Sequence, residues 1–284
     1  MIGTKLMKAF ACATLFLIAI PGFVTAQDSV DGNREISMAL TSSDHWELFP
    51  TQIRDKTAFV FYDEGISGRI DEADLPDLLK FKVQPPDGLP LDEEFETLHA
   101  VKGQLTPRIE QLGGLFVGRV TFDGHRNFHF FLPAGADPKQ LLSKLAEETG
   151  YEMEFSVRPD PEKSGYWQDL YPDDDERQII TDLNLLQLLE KHGDNPETER
   201  QIEHMAFLPT GEAQESFRKW IDAEGYKLIG TNRIDEGKLR FSIEFTHVGR
   251  TLLNEVNVHT LAISRKAREL GGDYDGWETT VERQ

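Results

Sequence analysis

Cysteine is almost missing from this chain: of 284 residues only Cys12 carries a thiol. Beyond that position no disulfide can form, and no thiolate can serve as a nucleophile or metal ligand, so stability rests on core burial. Long apolar runs are equally scarce. The longest, Ala9 to Ile20, falls short of the roughly 20 residues that a membrane-spanning helix needs. Positive charge is also in deficit, with 30 Lys and Arg against 50 Asp and Glu and a formal net charge of −20. Phosphate backbones are held mainly by Lys and Arg, so nucleic acid is disfavoured as a partner and a basic protein fits better, although acidity also serves solubility alone. The chain has no G-x-S-x-G elbow, no H-E-x-x-H pair and no phosphate-cradling glycine loop, which removes the common signatures of serine hydrolases, zinc proteases and nucleotide enzymes.

What is present begins with an address. Lys5 and Lys8 lead into the apolar run, Pro21 and Gly22 follow it, and Val24-Thr25-Ala26 places small residues before Gln27. That order predicts a secretory signal peptide over 1–26 and a mature protein that is periplasmic or secreted. Too little apolar sequence precedes Cys12 for a lipoprotein signal, so the expectation is a soluble exported protein with no membrane contact after the leader is removed. Residues 27–44 read as disordered.

From Leu78 onward the apolar period switches repeatedly between two and about 3.6, the mark of alternating strands and helices. Leu79, Phe81 and Val83 alternate as a strand. Leu91, Phe95, Leu98, Leu105, Ile109 and Leu112 follow helical spacing, with a break and restart expected at Thr106-Pro107. Strands over Phe116–Phe122 and Phe128–Leu132 flank the hairpin signal Asp123-Gly124. A helix after Asp137-Pro138 and a strand from Tyr151 to Val157 complete a β-α-β-β-α-β order. The second half repeats it: a strand over Gln201–Leu208, a helix with Phe217 and Ile221, strands over Tyr226–Ile234 and around Phe241–Phe245, a long helix from Leu252 to Leu270, and a last strand over Tyr274–Val281. The fold class is therefore α+β, two tandem ferredoxin-like sandwiches with antiparallel sheets and helices on one face of each. The boundaries read as 45–160 for the first domain, a polar, Pro-rich linker over 161–174, and 175–284 for the second; Thr57–Tyr62 adds a strand to the first sheet.

Few residues suggest chemistry. Asp173, Asp174, Asp175 and Glu176 could bind Ca²⁺ or a basic partner, but acids before Ile179, Leu183 and Leu186 are also what a helix start favours, and a calcium loop would need alternating ligands and a central Gly. His125 and His129 stand two pleats apart on one strand, about 13 Å from each other, too far to share a metal. His204 and His259 each lie among apolar neighbours; a hydrolase reading would pair His204 with Glu203 or Glu244, and its test is convergence in a pocket. Phe131, Met205 and Phe207 are candidates for an open sheet face, where aromatics without basic neighbours suit packing better than base stacking. No cofactor is implied.

The C-terminal part, about 175–282, resembles the family of the regulator of ribonuclease activity B. The resemblance is carried by His192-Gly193-Asp194-Asn195-Pro196 after the leading helix, Ile202-Glu203-His204 on the first strand, and Tyr274-Asp275-Gly276-Trp277 near the end. The N-terminal part, about 44–172, is similar in pattern to a family of unknown function that often occurs beside it. The resemblance implies a non-enzymatic module that binds a protein and modulates it, in the prototype a large cytoplasmic ribonuclease. Taken with the leader, this gives an exported protein-binding or regulatory module, with Asp173, Asp174, Asp175, Glu203 and Trp277 as candidate partner-binding residues and Gly193, Asp194, Pro196, Glu203, His204, Tyr274, Asp275, Gly276 and Trp277 as family positions. The alternatives are a cytoplasmic ribonuclease regulator, should the leader be misread, and the His/Glu hydrolase.

Overall fold

The computed structural model describes residues 41–84 and 92–283. The signal-peptide reading lies outside these residues. Of the stretch 27–44, the described part is ordered: Ser43 donates its backbone N–H to Asp63 at 2.7 Å and Ser42 its hydroxyl at 3.1 Å.

The first sheet has six antiparallel strands in the order β1-β2-β4-β5-β3-β6. They are β1 (Trp46–Ile53), β2 (Lys56–Asp63), β3 (Asp77–Gln84), β4 (Leu115–Phe122), β5 (His125–Leu132) and β6 (Glu152–Pro159), with α1 (Asp92–Glu110) and α2 (Lys139–Thr149) as the crossovers. From β3 onward the order along the chain is β-α-β-β-α-β and the order in the sheet is fourth, first, third, second. The hairpin β1-β2 extends that sheet beyond the single added strand expected from the sequence. Arg54 and Asp55 close it with φ of 51° and 63°, the left-handed pair a two-residue hairpin turn requires. Strand β1 shows weak alternation because it is an edge with half-covered faces, a place where Pro50 is tolerated. Asp123 and Gly124, at φ of 51° and 78°, make the anticipated turn between β4 and β5. The break at Thr106-Pro107 does not occur: α1 runs through Pro107. The proline lies one turn from the helix end, where its missing N–H removes a single bond.

Both faces of this sheet are covered, which corrects the expectation of helices on one face. Phe81, Phe116, Phe128, Leu105, Ile109 and Leu142 form one core beneath α1 and α2. On the other face Leu78, Phe131, Ile66, Ile70, Tyr166 and Leu170 form a second core; Phe131 is thus a core residue. Its lid includes 161–174, the segment that composition marked as a linker. Asp160 accepts the backbone N–H groups of Ser164 and Gly165 at 3.0 and 2.7 Å, starting the short helix α3 (Ser164–Trp167). Tyr166 donates its hydroxyl to the carbonyl of Asp63 at 2.7 Å. Leu170 sits so close to β4 that a Cβ on Gly118 would meet its Cδ1 at 2.7 Å. Polar residues here satisfy backbone groups while the aromatic and aliphatic ones go inward, so average polarity misleads.

The second unit comprises α4 (Asp174–Lys191), β7 (Arg200–Leu208), α5 (Gly211–Ala223), β8 (Lys227–Arg233), β9 (Phe241–Gly249), α6 (Leu253–Glu269) and β10 (Asp273–Thr279). Its four-stranded antiparallel sheet has the order β10-β7-β9-β8, again fourth, first, third, second, and its strands and helices match the sequence reading to within a few residues. Phe217 and Ile221 of α5 and Ile263 and Ala267 of α6 pack on Ala206, Ile243 and Phe245 of the sheet. Helix α4 starts with a reciprocal cap: Asp173 accepts the Glu176 N–H at 2.8 Å and Glu176 accepts the Asp173 N–H at 2.9 Å. Leu189 joins Ile202, Val256 and Trp277, whereas Ile180 belongs to the core of the first unit. The Arg177 guanidinium also lies 4.5 Å above the Tyr171 ring. One helix is therefore shared by both cores.

Candidate protein-docking face

Strand alternation decides which side chains of the second sheet meet the helices. On β7, Ile202, His204, Ala206 and Leu208 are buried, and Gln201, Glu203, Met205 and Phe207 take the opposite face with partial exposure or more. Met205 and Phe207 thus occupy the open face, as their spacing suggested. In the ladder Glu203 stands directly opposite Glu278 of β10, and Met205 directly opposite Glu244 of β9. Val248 of β9, at 66% exposure, extends the same face. The result is an apolar pair, Met205 and Phe207, bordered by Glu203, Glu244 and Glu278, with Val248 two cross-strand pairs away beyond Glu203 and Thr246, while α5 and α6 lie on the far side. Gln201 donates to Glu203 at 3.0 Å. A shallow depression of about 220 Å³ lined by Gln201, Glu203, Glu278, Thr279 and Thr280 marks one end. Glu278 was not singled out from the sequence; only the β7-β10 register pairs it with Glu203.

The same alternation separates the hydrolase pair. His204 faces inward, and Glu203 and Glu244 face outward, so the proposed base and carboxylates lie on opposite sides of the sheet. Tyr274 lies 2.7 Å from His204 Nδ1, and His247 lies 2.9 Å from its Nε2. His259 stacks on His247 with ring centroids 3.8 Å apart, and its Nδ1 lies 2.8 Å from the Tyr226 hydroxyl. Burial, with His259 adding to it, depresses His247 to a pKa of about 4. Burial raises Tyr226 to about 12 and Tyr274 well above the ordinary tyrosine value. At neutral pH His247, Tyr226 and Tyr274 are therefore uncharged within a packed aromatic group.

The family positions have structural work in this fold. Gly193, at φ +79°, ends α4, which favours a residue without Cβ. Asp194 forms a buried ion pair with Arg200, accepts the Thr251 hydroxyl at 3.1 Å and accepts the Glu282 N–H at 2.8 Å. Arg200 also donates to the carbonyls of Asn195 at 2.6 Å and Thr280 at 3.0 Å. The Pro196 carbonyl accepts the Thr251 N–H at 3.1 Å. Gly276, at φ +118°, follows a bulge at Asp275, and that extra residue turns both Tyr274 and Trp277 inward. Trp277 is only 4% exposed. Its indole N–H donates to Asp182 at 2.9 Å, alongside Gln178 at 2.9 Å and Thr260 at 2.6 Å. Trp277 is consequently a core residue and not a surface contact; Asp182 and Arg200, its counterparts in these networks, carry no local motif by which the sequence could reveal them.

The acidic run is likewise engaged within the chain. Asp173 caps α4; Asp175 accepts from Arg265 at 2.6 Å and from Arg268 at 2.6 Å, and Asp174 lies 3.3 Å from Arg268. Arg265 holds the Asp175 carboxyl below its ordinary range. None of the three lies on the open sheet face. His125 lies 3.1 Å from the carbonyl of Asp123, and His129 is buried on the second face of the first sheet. Among the described residues no group of three or more His, Cys, Asp or Glu is placed to hold a metal ion, and no helix is long and apolar enough to cross a membrane.

Two family models match separate segments of the chain. The family model described as "Regulator of ribonuclease activity B" matches residues 180–279, and that described as "Family of unknown function (DUF695)" matches residues 44–171. No curated protein matches the chain. Among solved structures, an unknown protein from Galdieria sulphuraria is 14% identical, covering 72% of this chain and 99% of its own, with a TM-score of 0.21. The siroheme decarboxylase NirDL, in co-complex with an iron-uroporphyrin III analogue, is 13% identical, covering 83% of this chain and 75% of its own, with a TM-score of 0.20. Spatial agreement this low carries no argument about fold or chemistry. The family models do carry one: the C-terminal segment matches the regulators of ribonuclease activity B, and the N-terminal segment matches a family to which no function is assigned.

Proposed function

We propose that this chain is a non-enzymatic protein-binding module, exported by its N-terminal leader, whose open C-terminal sheet face receives a basic segment of a partner protein. Each unit is read as a ferredoxin-like sandwich, and among the described residues only the second presents a bare sheet face. The observation that carries the reading is the cross-strand apposition of Glu203 and Glu278 beside half-buried Met205 and Phe207. Two carboxylates directly opposite one another concentrate negative charge on that face, which a cationic segment would complement. Apolar area inside a charged rim is also the usual anatomy of a docking patch. The family match supports regulation through protein contact; the overall charge of −20 supports a basic partner.

The test compares wild type with the double variant Glu203→Lys/Glu278→Lys as bait in envelope extracts at low salt. A partner held by wild type, released by salt and lost by the folded double variant supports the reading. Equal capture by both baits, or none by either, overturns it. N-terminal sequencing of the fractionated protein tests export: a mature start at Gln27 supports it, and an intact Met1 in the cytosol would restore the ribonuclease as the favoured partner.

A further inference from the structure

The second face of the first sheet holds a cavity of about 400 Å³, half-closed by residues 168–171 and the start of α4. That is within the size range of small-molecule sites. Its floor is apolar, with Phe49, Val60 and Val120, and its wall carries Lys80, Asp169 and His129. His129 is 2% exposed, and neither of its ring nitrogens has a hydrogen-bond partner. The Asp169 carboxylate stands 3.6 Å from Nε2, beyond hydrogen-bond reach. Buried polar atoms are almost always paired, so an orphaned imidazole lining a cavity marks a place where something else supplies the partner.

The charge balance says what that partner is. Burial keeps His129 below the ordinary histidine pKa against the pull of Asp169, so the ring offers a lone pair. Despite the opposing effect of burial, the nearby His129 ring and the Lys80 ammonium hold Asp169 ionised, with a pKa of about 2. Lys80 is already committed to Asp169 at 2.7 Å. Glu176 adds a further carboxylate, and the Gln168 and Asn127 amides can each accept or donate. With Asp169 and Glu176 against Lys80, the lining carries an excess of negative charge above an aromatic and aliphatic floor.

We propose that this cavity binds a small organic amine in its ammonium form, with the ammonium between His129 and Asp169 and a compact apolar body over Phe49, Val60 and Val120. The site is separate from the docking face, and apart from Glu176 of α4 its lining comes from the part of the chain with no assigned function.

The probes are benzylamine, benzyl alcohol and phenylacetate, matched in size and differing in charge, titrated into the isotope-labelled full chain while the His129 imidazole signals are followed by NMR. Benzylamine is expected to shift those signals with saturation near about 1 mM, and benzyl alcohol to bind at least about tenfold more weakly. Phenylacetate is expected to leave them unmoved. Asp169→Asn should weaken benzylamine by about tenfold or more. Because that change also frees Lys80 and could disturb folding, Gln168→Trp, at an exposed position on the cavity mouth, provides an independent block. The assignment is overturned if benzylamine leaves His129 unmoved up to about 10 mM, if the three probes bind alike, or if the folded Gln168→Trp protein binds benzylamine as wild type does.

Discussion

Arg200 and Asp194 form an ion pair in which each side chain is only 3% exposed, and it ties the turn after α4 to the first strand and the C-terminal segment. Removing one member of a buried pair leaves the other charged and unpaired, which costs about 3–5 kcal/mol. Arg200→Ala and Asp194→Ala should each lower the unfolding free energy in urea by that order. The double variant should cost less than the two changes summed. Strict additivity would show that the pair is not coupled.

Asp182 joins α4, α6 and β10 by accepting three hydrogen bonds, from Gln178, Thr260 and the Trp277 indole. Burial raises its pKa despite those donors. A raised carboxyl binds its proton more tightly in the folded than in the unfolded chain, so its contribution falls as pH rises from the ordinary Asp value through the raised one. Asp182→Asn removes that titration and turns an amide N–H toward groups that donate, at about 1–3 kcal/mol. Thermal unfolding across pH should show the variant less stable than wild type at acidic pH, with the difference narrowing as pH rises. A constant difference would remove the titration from the account.

His247 gives the opposite sign. Its folded pKa of about 4 lies below the unfolded value of 6.5, so the folded state binds fewer protons between them. Stability is full above pH 6.5 and declines as pH falls toward 4. His247→Phe should flatten that part of the pH profile. NMR titration of the His247 ring with a midpoint near 6 would contradict it.

Glu203→Gln removes one of the charges that the proposed reading assigns to partner capture. Retention of the partner by that variant at low salt should fall by about tenfold, measured in the same capture experiment. Retention equal to that of wild type would take Glu203 out of the docking face.

Leu170 lies fully inside the first core although composition placed it in a linker. Leu170→Ala should cost about 2–5 kcal/mol, the usual range for a buried leucine. A change within about 0.5 kcal/mol, typical of exposed positions, would return the segment to the status of a tether.

Much of this architecture is legible locally. The period of two in Leu79-Phe81-Val83, the 3.6 spacing of Ile179-Leu183-Leu186 and the turn pair Asp123-Gly124 each depend on neighbours a few residues away, and the structure has β3, α4 and the β4-β5 turn at those places. The cap at Asp173 is equally local. By contrast, Trp46–Ile53 hid its strand because an edge with two half-covered faces gives no alternation, and Pro107 misled because its cost depends on position within the helix.

By itself the sequence determined the α+β class, the two β-α-β-β-α-β orders, the acidic balance and the absence of usable thiols, because periodicity, turn chemistry and charge are properties of the chain read along its length. Tertiary structure alone decided that 161–174 seals a core, that Trp277 is internal, that His204 and Glu203 part company across the sheet, and that Glu203 meets Glu278. Those facts are set by register and by which face another element covers, and both are fixed only when distant residues are brought together by folding.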